Sequence, residues 1–537
     1  MAIKFWARRG LGILAGALGA GLLQTVLIAS PSLSAERVYA SFGPIERFIS
    51  IDDLETYART GEITGELRAY SRYLTSDQLE QFREGLLISA DLDVVMISQF
   101  LYTPQGEAIL EWLGEVIQTA GRQNGAIAIR AAVIKAAVDP DGGLNALNIL
   151  KHFPTQGPRV DLQRLLVITR VALAEINQTE DIADSIQARA ARAAAESEQL
   201  PALASPSVLA APGIFDWEKR SLQPAPLPTD LYLPQAQNAP LVVLSHGLGS
   251  NRSTLAYVAE HLASHGFAVA VVEHPGSSTD QLNALLDGRA NEAVIPEEMV
   301  GRPIAIQGLL DALDAASERD PDLGDRLNTQ QVGVLGQSLG AYTTLALAGA
   351  TVDLNGLQES CPPQIGQLNL SLLLQCLVPN LPQPLPTLQD DRVQAAFAIN
   401  PFSSRVFGPQ GLSNIEVPVM VVAGTSDTVT PALAEQIRPF TWLESSERYL
   451  LLMEGGTHFS AIYDPQTVEE AVAVPELAIG PSPELAQRYI NALSLAFFKT
   501  HLVGDETYRQ YLDPAFTAVL SRSDLPISLV RDVSLNN

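Results

Sequence analysis

Positive charge, cysteine and histidine are scarce in this chain, and each scarcity narrows the classes of function open to it. Lys and Arg number 34 against 60 Asp and Glu over 537 residues, a formal net charge of −26. A surface of that sign is repelled by phosphate backbones and by anionic membranes, which argues against nucleic acid as a partner. The acidity itself is what a soluble surface requires. Only two cysteines occur, Cys361 and Cys376. Neither they nor the seven histidines fall into the spacing of a zinc site. His261 and His265 have the i, i+4 interval of helical metal ligands, but no third ligand accompanies them. No metal and no other cofactor is expected. Beyond the amino-terminal stretch, no apolar run is long enough to span a bilayer.

What is present is a globular composition, 47% hydrophobic and 18% charged. The length exceeds what one hydrophobic core accommodates, so two domains are expected. Lys4, Arg8 and Arg9 precede an uncharged apolar run from Leu11 to Ile28. The small-residue stretch Ser30-Pro31-Ser32-Leu33-Ser34-Ala35 follows. This is the pattern of an export signal removed after Ala35. Its alternative is an uncleaved membrane anchor. Export to a periplasmic or extracellular space makes a Cys361–Cys376 disulfide the natural reading of an even pair, with two buried thiols as the alternative.

Residues 36–160 read as a small all-helical domain. Ser50 stands before the periodic stretch Ile51, Leu54, Tyr57, Ala58, as an N-cap does. Thr75 to Gln78 fits a capping box, followed by a stripe of Leu79, Phe82, Leu86 and Leu87. Ile109 to Ile117 and Ile127 to Val138 repeat the helical period. No ionisable cluster here suits catalysis, so regulation, structure or docking of an envelope partner is what this region offers. Residues 161–213 continue as a long helix and a Pro/Ala/Ser linker.

From residue 214 the pattern changes to strands alternating with helices, the signature of a mostly parallel sheet covered on both faces. Apolar runs at 241–244, 268–272, 332–335, 393–399, 417–422 and 449–453 are its strands. Helices are expected over 253–265 and 303–316. Every residue with chemistry to offer follows one of those strands, where open α/β sheets place their ligands.

Gly336-Gln337-Ser338-Leu339-Gly340 is a G-x-S-x-G sequence between a buried strand and a helix. Glycines on either side let a sharp strand-to-helix turn lift the serine hydroxyl above the sheet. A serine needs a base, and His458, in the Gly-rich turn Glu454 to Phe459, has the required place after the last long strand. Asp427, in the turn after 417–422, lies between them in chain order and would hold the imidazole tautomer. The corresponding place after 393–399 holds Asn400. The oxyanion of an acyl-transfer intermediate needs two backbone N–H donors. Leu339 offers one, and Leu248 in Ser245-His246-Gly247-Leu248-Gly249 the other. His246 precedes the nucleophile in the chain and is expected to shape that loop. The arrangement is that of an α/β-hydrolase fold. A stretch over 351–392, carrying both cysteines, reads as a lid-like insertion or acyl-pocket wall.

Leu244 to Gly249 and the stretch Ala263-Ser264-His265-Gly266-Phe267-Ala268-Val269-Ala270-Val271-Val272-Glu273-His274 closely resemble the plasma-type platelet-activating-factor acetylhydrolases and the dienelactone-hydrolase-like bacterial proteins. The likeness runs over roughly residues 214–500. It implies a calcium-independent hydrolase of short or oxidised acyl esters, with the oxyanion hole at Leu248 and Leu339. Two positions depart from that family. Gln337 stands where it has histidine, and Asn400 stands where the acetylhydrolases place their acid. The region 36–160 resembles a helical domain of unknown function that precedes such hydrolases in cyanobacteria. The reading is an exported serine hydrolase of carboxylic esters, taking a small-molecule or lipid ester. A catalytically silent envelope-binding protein on the same fold, and an acyltransferase using the same triad, are its alternatives.

Overall fold

The computed structural model describes residues 35–535 apart from 91, 198–205, 223–226, 362–368 and 463–478. The expected export signal, up to its last residue, and the centre of the expected Pro/Ala/Ser linker lie outside the described residues. The chain divides into two compact units. One is built mainly on the chain up to Ile176, with Asn283–Ala293. The other comprises Asn177–Leu282, Val294–Pro363 and Asn369–Asn537.

In the first unit the helix starts are where local chemistry places them. Ser50 Oγ accepts from the Asp53 N–H to open Ile51–Thr60, and Gly61, at φ 76°, closes that helix in the left-handed conformation. Thr75 and Gln78 cap Ser76–Leu87 reciprocally. Ile51, Leu54, Ala58, Leu86, Leu110, Ile129 and Ala132 form the core. The expectation of an all-helical domain is corrected. Arg37–Phe42 and Ile45–Ser50 form an antiparallel hairpin turning at Gly43, and they belong to a four-stranded sheet with Arg159–Asp161 and Ile117–Gln118. The pairing of Tyr39 with Arg159 joins segments far apart in sequence. No local periodicity announces that contact. Four residues of the expected apolar stripes, Leu87, Leu113, Ile127 and Val138, are exposed. The long helix is real, Leu162–Glu196, and it carries the chain from one unit into the other.

The second unit is organised on nine strands: β1 Trp217–Leu222, β2 Thr229–Pro234, β3 Ala239–Ser245, β4 Ala268–Val272, β5 Leu327–Gln337, β6 Val393–Ile399, β7 Val419–Gly424, β8 Arg448–Met453 and β9 Ile527–Val530. Their order across the sheet is β9-β8-β7-β6-β5-β3-β4-β2-β1. The six inner strands, β4, β3, β5, β6, β7 and β8, run parallel. The antiparallel strands β1, β2 and β9 close the two edges. The inner strands read as unbroken apolar runs because both faces are buried. Successive residues serve opposite cores. Leu241, Val243, Ala268 and Val334 pack on one face, and Val242, Leu244, Val269 and Leu335 on the other. This is the α/β-hydrolase fold, and it brings the carboxyl ends of β3, β5, β6, β7 and β8 to one edge.

Candidate active site

Ser338 follows β5 directly and caps the helix Leu339–Leu347, with φ 57° and ψ −116°. A non-glycine residue in that conformation costs about 1–3 kcal/mol and persists only where its surroundings impose it. Here they do. Ser338 N–H donates to the Ile399 carbonyl at 2.9 Å, and its own carbonyl accepts from Tyr342 N–H. The flanking glycines are steric requirements. A Cβ on Gly336 would collide with the Gly340 carbonyl, and one on Gly340 with the Ser245 carbonyl. The G-x-S-x-G pattern is therefore the signature of backbone running against backbone.

The Ser338 Oγ lies 2.9 Å from His458 Nε2, and His458 Nδ1 lies 2.8 Å from Asp427 Oδ2. A carboxylate only accepts, so Nδ1 carries the proton and Nε2 presents its lone pair to the hydroxyl. The Asp427 side chain is fully buried and saturated with donors. Oδ1 takes the N–H groups of Val429 and Thr430, each at 2.8 Å. Oδ2 takes Thr430 Oγ1 at 2.7 Å and Asn400 Nδ2 at 2.8 Å besides the imidazole. The loops that carry the two residues are stitched together by Ser426 N–H to the Gly456 carbonyl and Gly455 N–H to Thr425 Oγ1. Asn400, at φ 48°, occupies the left-handed region that asparagine tolerates. The position from which the family resemblance would draw an acid thus supplies a donor to Asp427.

The loop after β3 lies beside Ser338. A Cβ built on Gly247 would stand 3.4 Å from Ser338 Cβ. Gly249, at φ 72°, ties both its backbone groups to the neighbouring loop, N–H to the Ser277 carbonyl and carbonyl to Thr279 Oγ1. Among the described residues no acceptor takes the Leu248 or Leu339 N–H. His246 is far from being a base. It is fully buried, its Nδ1 faces the Gly247 carbonyl at 2.7 Å, and its Nε2 accepts from His274 N–H. Burial, with the Arg302 charge beside it, holds its pKa down to about 3, so the ring is neutral and serves the loop. Gln337 spans the site from beneath, donating through Nε2 to the His458 carbonyl at 3.1 Å.

Sequence reading missed several polar supports. Asn400 and Gln337 sit within the motifs already singled out but find their partners after other strands, while Thr430 bonds Asp427 within its own loop. His274 closes the stretch that carries the family resemblance but is given no role there, and Arg302 and Glu435 carry no local signal at all. Glu435 is buried and accepts from Ser403 N–H, Ser404 N–H and Gln375 Nε2, and from Asn369. Cys361 and Cys376 form a disulfide. Within the loop that the disulfide closes, Ser371 N–H donates to the Val429 carbonyl at 3.2 Å. His261 and His265 stack edge-on with centroids 4.7 Å apart, and His265 Nε2 pairs with the Ala211 carbonyl.

Residues 34–161 match a family model described as an alpha/beta hydrolase of unknown function (DUF1400). Residues 224–299 match platelet-activating factor acetylhydrolase, isoform II. Among curated proteins, Cutinase 2 of Thermobifida cellulosilytica is 22% identical over 293 residues, 53% of this chain and 77% of that protein. Cutinase cut1 of Thermobifida fusca is 22% identical over the same length, which is 63% of its own chain. Cutinase est1 of Thermobifida alba is 22% identical over 304 residues, 72% of its length. With the sheet order described above, these likenesses make the chain an α/β hydrolase of the esterase type that resembles platelet-activating factor acetylhydrolase.

Proposed function

We propose that the chain is an exported serine hydrolase that cleaves carboxylic esters through an acyl-enzyme, with Ser338 as nucleophile, His458 as base and Asp427 as its acid. The observation that carries this reading is the unbroken relay from Ser338 Oγ to His458 to Asp427, at 2.9 and 2.8 Å. Ser338 Oγ attacks the acyl carbon as its proton passes to His458 Nε2. The carbonyl oxygen becomes an oxyanion that receives the Leu248 and Leu339 N–H groups. His458 then protonates the departing alkoxide, and the acyl-enzyme remains. Water, deprotonated by the same ring, attacks that ester and releases the acid, restoring the serine. The cutinase and acetylhydrolase likenesses favour a small-molecule or lipid ester of short acyl chain. The insertion tied down by Glu435 would form a fixed wall of the acyl pocket.

The purified chain should hydrolyse p-nitrophenyl acetate and take a fluorophosphonate label, and Ser338→Ala should lose both. Hydrolysis at the parental rate by that variant would end the assignment. Export rests on the basic and apolar amino-terminal pattern and is in keeping with the disulfide. Sequencing of the exported protein should begin at Glu36. Retention in the cytoplasm with Met1 intact would refute it.

A further inference from the structure

We infer that Arg302 is a positioning residue that clamps the oxyanion loop from behind and so sets the aim of the Leu248 N–H. The inference rests on the oxyanion hole proposed above. Arg302 lies in the helix Glu298–Ser317, and its side chain is wholly out of solvent. A buried guanidinium is expensive unless every donor is matched, and this one is matched to the loop. Nη1 donates to the His246 carbonyl at 2.7 Å, at the entrance of the loop. Nη2 and Nε donate to Ser277 Oγ at 2.6 and 3.1 Å, and Nε also reaches Glu298 Oε2 at 3.2 Å. Ser277 in turn accepts Gly249 N–H on its carbonyl at 2.8 Å, at the exit of the loop. One planar fork therefore fixes residues 246 and 249, on either side of Leu248. His246 completes the frame by accepting His274 N–H at 3.0 Å, and His274 Nε2 pairs with Ser245 Oγ at 2.9 Å.

Two features of the clamp suit it to catalysis beyond packing. A guanidinium binds two acceptors at fixed angles, which an ammonium cannot do. The Arg302 head is also buried, paired and hydrogen-bonded on both sides, so the loop it grips has little freedom to move. Glu298 and Glu273 are the nearby carboxylates that balance its charge. The neutral rings of His246 and His274 are lone-pair and N–H partners without charge of their own.

The experiment compares Arg302→Lys and Ser277→Ala with the parent in the full chain. It measures kcat and KM on p-nitrophenyl acetate, the inhibition constant of a trifluoromethyl ketone, and thermal unfolding. The ketone adduct places an oxyanion in the hole, whereas ground-state binding of the ester does not, and KM holds near the parental value when acylation and deacylation slow together. Losing a whole oxyanion donor costs about 100- to 1000-fold in kcat, and a misaimed one should cost about 10- to 100-fold. Arg302→Lys should therefore lower kcat by that factor, weaken the ketone in parallel, and leave KM nearly unchanged. Ser277→Ala should move the same quantities in the same direction by less. A folded Arg302→Lys with parental kcat and ketone affinity would overturn the clamp, as would a loss confined to KM. Should Arg302→Lys not fold, parental behaviour of Ser277→Ala overturns it alone. Ser338→Ala separates the two levels. If it retains hydrolysis, the site itself is misread. If it is inactive while both clamp variants behave as the parent, only the clamp is wrong.

Discussion

Replacing Asp427 by Asn isolates the proton position on His458 from the shape of the site. The two carboxylate oxygens of Asp427 have different neighbours. Oδ1 faces two backbone N–H groups, of Val429 and Thr430, so an amide oxygen must take that place. The amide nitrogen then falls where Oδ2 was, 2.8 Å from His458 Nδ1 and from Asn400 Nδ2. As a donor it forces Nδ1 to accept, which moves the ring proton to Nε2. That nitrogen can no longer take the proton of Ser338. In a serine protease the same change of tautomer costs about 10⁴ in kcat, or about 5 kcal/mol of transition-state stabilisation at roughly 1.4 kcal/mol per decade. The new donor–donor contact with Asn400 should lower stability by about 1–3 kcal/mol. The assay is kcat for p-nitrophenyl acetate at neutral pH, beside circular dichroism of the variant. Asn400→Ala is the companion, because it removes one hydrogen bond to Asp427 but leaves the tautomer alone, and its kcat should fall by less than about tenfold. An Asp427→Asn enzyme within tenfold of the parent would refute the argument. So would an Asn400→Ala enzyme as damaged as Asp427→Asn.

Two other perturbations follow from the same geometry. Gly340→Ala drives a methyl into the Ser245 carbonyl, backbone that cannot swing aside. It should cost about 3 kcal/mol or more in stability together with activity, and a parental urea midpoint would contradict the close approach described. The fold should also be acid-labile. Burial is the chief cause that holds His246 and His261 near pKa 3 and His501 near 4. These rings charge in the unfolded chain at about 6.5 but stay neutral in the folded one. Stability is thus intact above about pH 6.5 and declines as pH falls toward 4, by about 1 kcal/mol per unit for each ring. Urea midpoints at pH 7, 6 and 5 test this, and a flat series would defeat it.

What the sequence disclosed and what it withheld divide along a physical line. Strands β4 and β6 are legible to the residue, because a parallel strand buried on both faces must be apolar throughout. Ser338, Asp427 and His458, the set proposed for catalysis, could be singled out because the fold fixes the order of such residues along the chain and glycines mark the turns. Strands β1, β2 and β9 escape notice. Trp217–Leu222 carries Glu218, Lys219 and Arg220 on a sheet edge, and Ile527–Val530 is only four residues long, so neither presents an unbroken apolar run. The hairpin of the first unit escapes for a related reason. Its six-residue strands acquire their sheet from Arg159–Asp161, far along the chain.

The polar framework behind the site is the least legible part, and the reason reaches beyond this chain. A cap or a turn is satisfied within four residues, so its chemistry leaves a local trace. Arg302 and Glu435 are satisfied by carbonyls, hydroxyls and amides from other strands and loops. Their neighbours in sequence are those of any amphipathic helix. Yet a wholly buried charge tolerates no unmatched donor or acceptor. Once such a side chain is seen in place, the set of groups it holds is the strongest statement the structure makes about which backbone must not move. In this chain those groups are His246, Ser277, Ser403 and Ser404, and the first two frame the proposed oxyanion donor. On that proposal, the rigidity that catalysis asks of the donor is vested in residues outside the relay of Ser338, His458 and Asp427.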